Sequence, residues 1–258
     1  MQSKIENLAE YLRNGNVVFF GGAGVSTESG IADFRSESGL YKAQQTYGFP
    51  PEDLISHTFY KKKPELFFKY YRENLVSLAA QPNAAHLALA QLEERGLLRA
   101  VVTQNIDGLH QAAGSREVLE LHGSNLRQYC ERCDKKYSLE FIMHCGTAIP
   151  RCECGGTVRP DVVLYEEGLD EQVMSRAAQY IASADTLIVG GTSLVVYPAA
   201  GLLRYFRGQN LVLINKRATS YDADASLVIS DAIGETMAAV MAVLPHITEN
   251  VNSKCEKT

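Results

Sequence analysis

The chain has 258 residues, of which 46% are hydrophobic and 21% are charged. This length and composition predict one or two folded domains and exclude a disordered or fibrous protein. The formal net charge of −5 argues against duplex nucleic acid as the main partner, because no basic excess is present to displace its counterions. The sequence approaches neither the roughly 18 apolar residues of a membrane span nor the apolar core of a signal peptide. We therefore expect a cytoplasmic protein with no membrane partner.

Three segments predict helices. At the N-terminus, Ser3 and Glu6 have the spacing of a capping box, and apolar residues recur on one face of the turns that follow. A second helical pattern covers 83–95, with Asn83 as its N-cap and Gly96 as its stop. A third covers about 234–244.

Short apolar runs alternate with the helical segments and predict buried strands. These runs are 17–20, 100–103, 186–189, 211–214 and 227–229. Continuous apolar strands that alternate with helices indicate an α/β fold, with a parallel sheet covered by helices on both faces. In such sheets ligands bind beyond the carboxyl ends of the strands, and here those ends are rich in Gly, Ser, Thr, Asn and Asp.

The loops after these strands carry the candidate binding residues. Residues 21–26 are glycine-rich, which lets a backbone approach phosphate, but they match neither G-x-G-x-x-G nor a P-loop. Residues 104–107 place two amides and a carboxylate at a strand end, where polar groups are costly unless they meet a ligand or one another. His122 ends another short alternation, and small hydroxyl residues in 191–200 suggest a second phosphate or ribose site. Taken singly, the glycine loop also suits a tight turn and His122 a structural role.

Five of the six cysteines lie between positions 130 and 154. Four of them form two pairs separated by 18 residues: Cys130 with Cys133, and Cys152 with Cys154. Such pairs predict one structural Zn²⁺ per chain, held by four thiolates that leave no open position for chemistry. Because the second pair is one residue shorter than usual, Cys145 competes as the fourth ligand. We favour Cys154, since the two glycines after it supply a tight turn.

Two segments interrupt the alternation of strands and helices. Residues 36–80 are rich in aromatic residues and lysine and predict helices and loops, while 126–159 contain the cysteines. We expect them to form a small helical and zinc-binding domain inserted into a larger, discontinuous domain. The predicted parts of the larger domain are 1–35, 81–125 and 160–248, and a flexible tail is expected at 249–258.

Taken together, the motifs resemble those of the sirtuins, NAD-dependent protein-lysine deacylases. The matching segments follow one another in the family's order from about residue 4 to 245: 22–26, 29–35, 103–107, 121–123, the four paired cysteines, 159–163, 191–194 and 214–216. The resemblance implies a Rossmann-like domain that binds NAD, a smaller zinc domain, and acetylated-lysine proteins or peptides bound in the cleft between them. The expected products are free lysine, nicotinamide and O-acetyl-ADP-ribose, so NAD is consumed as a co-substrate.

The resemblance also assigns individual roles. His122 is implied as the general base, with Asn105 and Asp107 as further catalytic residues and Asp107 holding the carboxamide. The residues implied in NAD binding are Ala23, Thr27, Phe34, Arg35, Gln104, Asn105, Ile106, Asp107, His122, Thr192, Ser193, Asn215, Asp231 and Ile233. Residues 163–165 are expected to offer backbone groups to the peptide as an added strand.

Three positions depart from the family pattern. Ala32 stands where proline is usual, Tyr165-Glu166-Glu167 replaces Phe-Gly-Glu, and the second cysteine pair is short. These changes affect the cofactor loop, the peptide groove and the zinc site, and none falls on the implied catalytic set.

Other functions were weighed against the deacylase. An oxidoreductase should carry G-x-G-x-x-G, which this chain lacks. A protein mono-ADP-ribosyltransferase shares the first chemical step and stays open as the alternative. A zinc-dependent nucleic-acid reader is disfavoured by the acidic charge balance.

A preference for neutral acyl groups is also expected. In sirtuins that remove succinyl groups, a Tyr and an Arg three residues after it line the acyl pocket and bind the acid. The positions that resemble them here are Tyr71 and Asn74. Without the guanidinium group, an acidic acyl group would bury its carboxylate with no charge partner.

Overall fold

The computed structural model describes residues 2–32 and 37–244. Its helices are α1 (Gln2–Arg13), α2 (Glu37–Tyr47), α3 (Pro51–Leu54), α4 (His57–Lys62), α5 (Pro64–Tyr70), α6 (Ala84–Glu94), α7 (Leu109–Ala112), α8 (Leu139–His144), α9 (Glu171–Ser183) and α10 (Ile233–Val243). Its strands are β1 (Val17–Gly21), β2 (Leu98–Thr103), β3 (Val118–Glu120), β4 (Gly123–Cys130), β5 (Lys136–Tyr137), β6 (Val158–Val162), β7 (Thr186–Gly190), β8 (Asn210–Ile214) and β9 (Leu227–Ile229). Tight 3-10 turns cover Ala23–Val25, Thr27–Ser29, Ala199–Tyr205 and Asp222–Asp224, and a π-helical turn covers Tyr71–Leu75.

Six strands form one parallel sheet in the order β3-β2-β1-β7-β8-β9. Counted within the sheet, this is the order 3-2-1-4-5-6 of a doubly wound dinucleotide-binding fold, which changes direction between β1 and β7. The predicted parallel sheet is confirmed. The sequence does not predict β3, because three residues are too few to show a strand pattern.

Helices cover both faces of this sheet because the strand side chains alternate. Val17 and Phe19 belong to the core that contains α1, α6 and α10, whereas Val18 and Phe20 belong to the core that contains α9 and the turn Ala199–Tyr205. The predicted cap of α6 is confirmed, since the Asn83 side chain accepts from a backbone amide of the first turn. The predicted capping box of α1 is wrong: the helix begins before Ser3, so this side chain cannot take the N-cap position.

A second, antiparallel sheet has the order β5-β4-β6. Its residues Cys130 and Val158 share one apolar cluster with Phe67, Phe68 and Tyr71 of the helical segment. The two segments that interrupt the alternation therefore pack against each other, and they flank the carboxyl ends of the parallel strands. None of the helices within 2–32 and 37–244 is long and apolar enough to cross a bilayer.

Candidate functional site

A cleft of about 1060 Å³ opens at the carboxyl ends of the parallel strands. Twelve of the predicted site residues line it: Ala23, Thr27, Gln104, Asn105, Ile106, Asp107, His122, Thr192, Ser193, Asn215, Asp231 and Ile233. Phe34 and Arg35, which were also predicted, lie outside the described residues. Polar loops that are far apart in the sequence thus meet at the point where the strand order reverses, which is where this fold class binds ligands.

Glycines hold the loops after β1 and β7 close together. The Gly24 amide donates to the Gly191 carbonyl at 2.8 Å. A Cβ at Gly24 would lie 2.7 Å from the Gly191 Cα, and a Cβ at Gly22 would lie 2.9 Å from the Thr192 Cβ. Both positions therefore exclude a side chain. The glycine-rich sequence serves the packing of the cleft wall, and any contact with phosphate is additional to that role.

A buried serine joins the functional residues that follow β2. Ser26 Oγ donates to Asp107 Oδ2 at 2.6 Å and accepts from Asn105 Nδ2 at 3.0 Å. The other carboxylate oxygen, Asp107 Oδ1, accepts from the Leu109 amide at 2.9 Å and so begins α7. Because Ser26 is only 1% exposed, these contacts fix the orientation of both predicted catalytic side chains. No sequence signal indicates this link beyond the position of Ser26 in the glycine loop.

His122 connects β3 to β4 and faces the cleft. Its Nδ1 lies 2.9 Å from the carbonyl oxygen of Gln104. Since a carbonyl only accepts, Nδ1 carries the proton of the neutral ring, and the basic lone pair is on Nε2. The backbone of the neighbouring loop thus selects the tautomer that a general base requires.

The loops after β7 and β8 form the other end of the cleft. The Thr192 amide donates to Asn215 Oδ1 at 2.9 Å, and Gln104 Nε2 donates to Thr192 Oγ1 at 3.1 Å. Asn215 Nδ2 is buried and has no acceptor among the described residues. Buried amide donors are normally paired, so this atom indicates a ligand with an acceptor, such as a ribose hydroxyl or an adenine nitrogen of NAD. Within the described part of the lining, the cations are Lys216 and Arg217, both at this end.

The π-helical turn forms one wall of the cleft, in which Tyr71 is buried. Tyr71 and Asn74 both line the cleft, as the predicted acyl pocket requires. Tyr71 is 1% exposed, and its hydroxyl donates to Asn125 Oδ1 at 2.9 Å. Asn125 Nδ2 donates to the Leu75 carbonyl at 2.6 Å, and the Asn125 amide donates to the Ile106 carbonyl at 2.8 Å. Asn125 therefore ties this wall to the loop after β2, although no sequence motif marked it.

The segment 163–165 does not present free amides to a peptide. Each of its three N–H groups already has an acceptor in the protein: Val163 donates to the His122 carbonyl, Leu164 to Glu167 Oε2, and Tyr165 to the Ile55 carbonyl. The expectation of an added strand is corrected to this extent, because a peptide cannot use these three donors.

The unusual Tyr165-Glu166-Glu167 segment is held by its own side chains. Glu166 has a φ of +75°, a conformation that favours glycine, and its Oε2 accepts from the Thr58 amide at 2.8 Å. Glu167 makes two bonds to the buried Arg159, at 2.7 and 3.1 Å. Burial raises the pKa of Glu167, but the bonds from Arg159 and His57 outweigh it and lower that pKa to about 2.

The four paired cysteines meet beside the second sheet. All four Sγ atoms lie within 4.8 Å of one another, with separations of 3.5 Å for Cys130–Cys154 and 3.6 Å for Cys133–Cys152. A tetrahedral Zn²⁺ with bonds of about 2.3 Å spaces its sulfurs by about 3.8 Å, so the cluster fits this ion. Cys145 is not in the cluster.

The surroundings of Cys145 differ from those of the four clustered cysteines. Cys145 Sγ instead accepts from Arg72 at 3.4 Å. Within the cluster, the Tyr137 hydroxyl donates to Cys152 Sγ at 3.0 Å and, as the main cause, lowers the pKa of that thiol to about 6. A thiolate is the form that binds zinc.

Comparison with known proteins agrees with these features. The family model described as the Sir2 family matches residues 22–198. The NAD-dependent protein deacetylase of Clostridium acetobutylicum is 58% identical over 240 residues, which cover 92% of this chain and 98% of that protein. The corresponding protein of Clostridium perfringens is 57% identical over 244 residues, covering 93% of this chain and 100% of its own length.

Solved structures agree as well. A Sir2 structure with a p53 peptide and NAD⁺ is 37% identical and superposes with a TM-score of 0.82, covering 92% of this chain and 97% of that chain. A Sir2 structure bound to an acetylated peptide is 36% identical with a TM-score of 0.81 and the same coverage. The chain belongs to the Sir2 family.

Proposed function

We propose that this protein is an NAD-dependent protein-lysine deacetylase. It transfers an acetyl group from a lysine side chain to ADP-ribose and releases nicotinamide and the free lysine. The observation that carries the proposal is a single cleft that holds both an orphaned buried amide donor, Asn215 Nδ2, and an imidazole whose basic nitrogen is set by a backbone carbonyl. The names of the relatives support deacetylation, and they do not favour the ADP-ribosyltransferase alternative.

The two ends of the cleft take different parts of NAD. At the adenosine end, Thr192 and Ser193 contact phosphate or ribose, while Asn215 and the loop with Asp231 and Ile233 hold the adenosine. At the nicotinamide end, Asp107 holds the carboxamide, while Asn105 faces the ribose. Ser26 fixes these last two side chains, so their orientation exists before NAD binds and costs little on binding. Ala23, Thr27, Gln104 and Ile106 complete the cofactor contacts, and Phe34 and Arg35 are proposed from the sequence alone.

His122 is the proposed general base. NAD supplies the acyl acceptor, because its ribose takes up the acetyl group as nicotinamide leaves. With Nδ1–H donating to the Gln104 carbonyl, Nε2 accepts the proton of a ribose hydroxyl. The unperturbed pKa of an imidazole, about 6.5, suits this transfer near neutral pH.

The acyl pocket favours neutral groups. The single hydroxyl proton of Tyr71 is donated to Asn125, so it is not available to a carboxylate. The cations among the described lining residues, Lys216 and Arg217, follow β8 at the adenosine end. A succinyl carboxylate would therefore lose its hydration without gaining a charge partner, which is costly.

The zinc site is proposed to be structural. Cys130, Cys133, Cys152 and Cys154 would hold one Zn²⁺, and its four bonds would leave no position for substrate. The ion would fix the second sheet, whose strand β4 continues directly from His122. We further propose the domain division 1–35, 81–125 and 160–248 against 36–80 and 126–159, supported by an apolar cluster whose members, apart from Leu164, all lie in the two segments of the smaller domain. A cytoplasmic location is proposed on the reduced thiols that a zinc site requires.

Mass spectrometry of an acetyl-lysine peptide tests the function. Wild-type protein with NAD should remove the acetyl group, and protein without NAD should not. His122→Ala should bind NAD but lose activity by about 10²–10⁴-fold, the usual contribution of a general base. Deacetylation that does not depend on NAD, or near-normal turnover by folded His122→Ala, would contradict the proposal.

A further inference from the structure

Glu28 joins two walls of the cleft that are distant in the sequence. It lies in the 3-10 turn Thr27–Ser29, which follows β1, and its Oε1 accepts from the Gly234 amide at 2.8 Å. Gly234 is in the first turn of α10, next to Ile233, and both Glu28 and Ile233 line the cleft. The strands that lead into these walls, β1 and β9, are separated in the sheet by β7 and β8. The hydrogen bond therefore connects walls that the sheet itself does not pair.

The first turn of α10 is suited to accept this contact. The N-cap residue of this helix, Ala232, has no side chain that can accept from the first turn. The Glu28 carboxylate takes that place, where a negative charge is favourable. A Cβ at Gly234 would lie 2.4 Å from Glu28 Oε2 and 2.9 Å from Glu28 Cδ, so a side chain at residue 234 would force the carboxylate to shift from this position.

We infer that Glu28 is a positioning residue for NAD. By fixing the first turn of α10 to the turn after β1, it sets the distance between the wall that carries Thr27 and the wall that carries Asp231 and Ile233. Both walls belong to the proposed cofactor end of the cleft, whereas the acyl wall at Tyr71 is formed by other elements. The inference rests on the proposed function only in that NAD is the ligand. Loss of the contact lowers affinity for NAD, because binding then has to order the two walls.

Two substitutions remove the contact from opposite sides. Glu28→Ala deletes the acceptor, and Gly234→Ala blocks its approach while placing a better helix former in α10. Glu28→Gln is the matched control, since its amide oxygen still accepts from Gly234. Glu10→Ala removes an exposed acidic residue of α1, away from the cleft. Calorimetric titration with NAD gives the Kd for each variant without requiring turnover, and thermal unfolding reports stability separately.

Glu28→Ala and Gly234→Ala should each raise the Kd for NAD by about fivefold, less than the roughly tenfold or more that one hydrogen bond to a charged group can contribute, because Glu28 acts on NAD only through the position of the two walls. The double variant should be no weaker than either single variant, because both remove the same contact. Glu28→Gln and Glu10→Ala should stay within about twofold of wild type, as should the KM for acetylated peptide in all four single variants. If Glu28 only stabilised the start of α10, Glu28→Ala would lower the Tm, and Gly234→Ala would leave the Kd for NAD unchanged.

Three results would overturn the inference: an unchanged Kd for NAD in Glu28→Ala or in Gly234→Ala, an equal loss of affinity in Glu28→Gln, or additive losses in the double variant. If wild-type protein binds NAD but does not deacetylate, the proposed function fails while the calorimetric comparison still decides the role of Glu28.

Discussion

Substituting Ser26 by alanine should disable the cleft without touching any group that contacts substrate directly. The change removes a hydroxyl that donates to Asp107 at 2.6 Å and accepts from Asn105 at 3.0 Å. A hydrogen bond to a charged group contributes about 1.5–3 kcal/mol and a neutral one about 0.5–1.5 kcal/mol, so the two together amount to about 2–4.5 kcal/mol. Ser26 is buried, whereas its two partners are half-buried at the cleft wall.

Part of this free energy should appear as lost transition-state stabilisation, because both partners are proposed to orient NAD. A loss of 2 kcal/mol corresponds to about 30-fold in kcat/KM, and 4 kcal/mol to about 10³-fold. Nicotinamide release under steady-state conditions measures this quantity, and circular dichroism checks the fold. Ser175→Ala, an exposed serine on α9, is the control and should be unchanged. A folded Ser26→Ala protein with kcat/KM within about threefold of wild type would show that Ser26 does not orient Asn105 and Asp107 for the reaction.

Three further outcomes are expected. Burial lowers the pKa of His110 to about 3. The contribution of this residue to the free energy of unfolding is therefore complete above its unfolded-state pKa of about 6.5. Below that pH it falls by about 1.4 kcal/mol per pH unit, because only the unfolded chain takes up the proton. Between pH 7 and pH 5, urea unfolding should therefore show a smaller loss in the free energy of unfolding for His110→Leu than for wild type, and equal losses would contradict this. Metal analysis should find zinc lost in Cys154→Ser and retained in Cys145→Ser, and the reverse pattern would move the fourth ligand. Because the Tyr71 hydroxyl is already donated, kcat/KM should be at least about tenfold higher for an acetyl-lysine peptide than for its succinyl counterpart, and equal values would require another cation in the pocket.

Much of the fold can be predicted from local patterns in the sequence. A buried parallel strand such as β1 is a continuous apolar run followed by a glycine turn, and period and composition both identify it. The Asn83 cap is equally local. The strand β3 is missed because it has only three residues and depends on pairing with β2. The prediction for Ser3 fails although the pattern is local: its spacing with Glu6 fits a capping box, but α1 begins at Gln2, so Ser3 lies inside the helix.

Some residues of the candidate site can likewise be predicted from the sequence, and others cannot. Residues at strand ends, such as Asp107 and His122, can be picked out because polar side chains there are unusual. Ser26, Glu28 and Asn125 cannot, because each acts through a partner that the fold brings from elsewhere: 81 residues away for Ser26, 206 for Glu28 and 54 for Asn125. Polar residues of this kind carry no periodic signal. Only the packing of loops against one another reveals what they hold.

In the proposed reaction, the acetyl group leaves lysine for ADP-ribose. The most direct test quantifies three products in one reaction with an acetyl-lysine peptide and NAD: deacetylated peptide, free nicotinamide and O-acetyl-ADP-ribose. Liquid chromatography with mass spectrometry resolves all three, and early time points limit hydrolysis of the ester. We predict equal amounts of the three products at every early time point. Nicotinamide release accompanied by ADP-ribose attached to the peptide, or free acetate formed without nicotinamide, would contradict the claim.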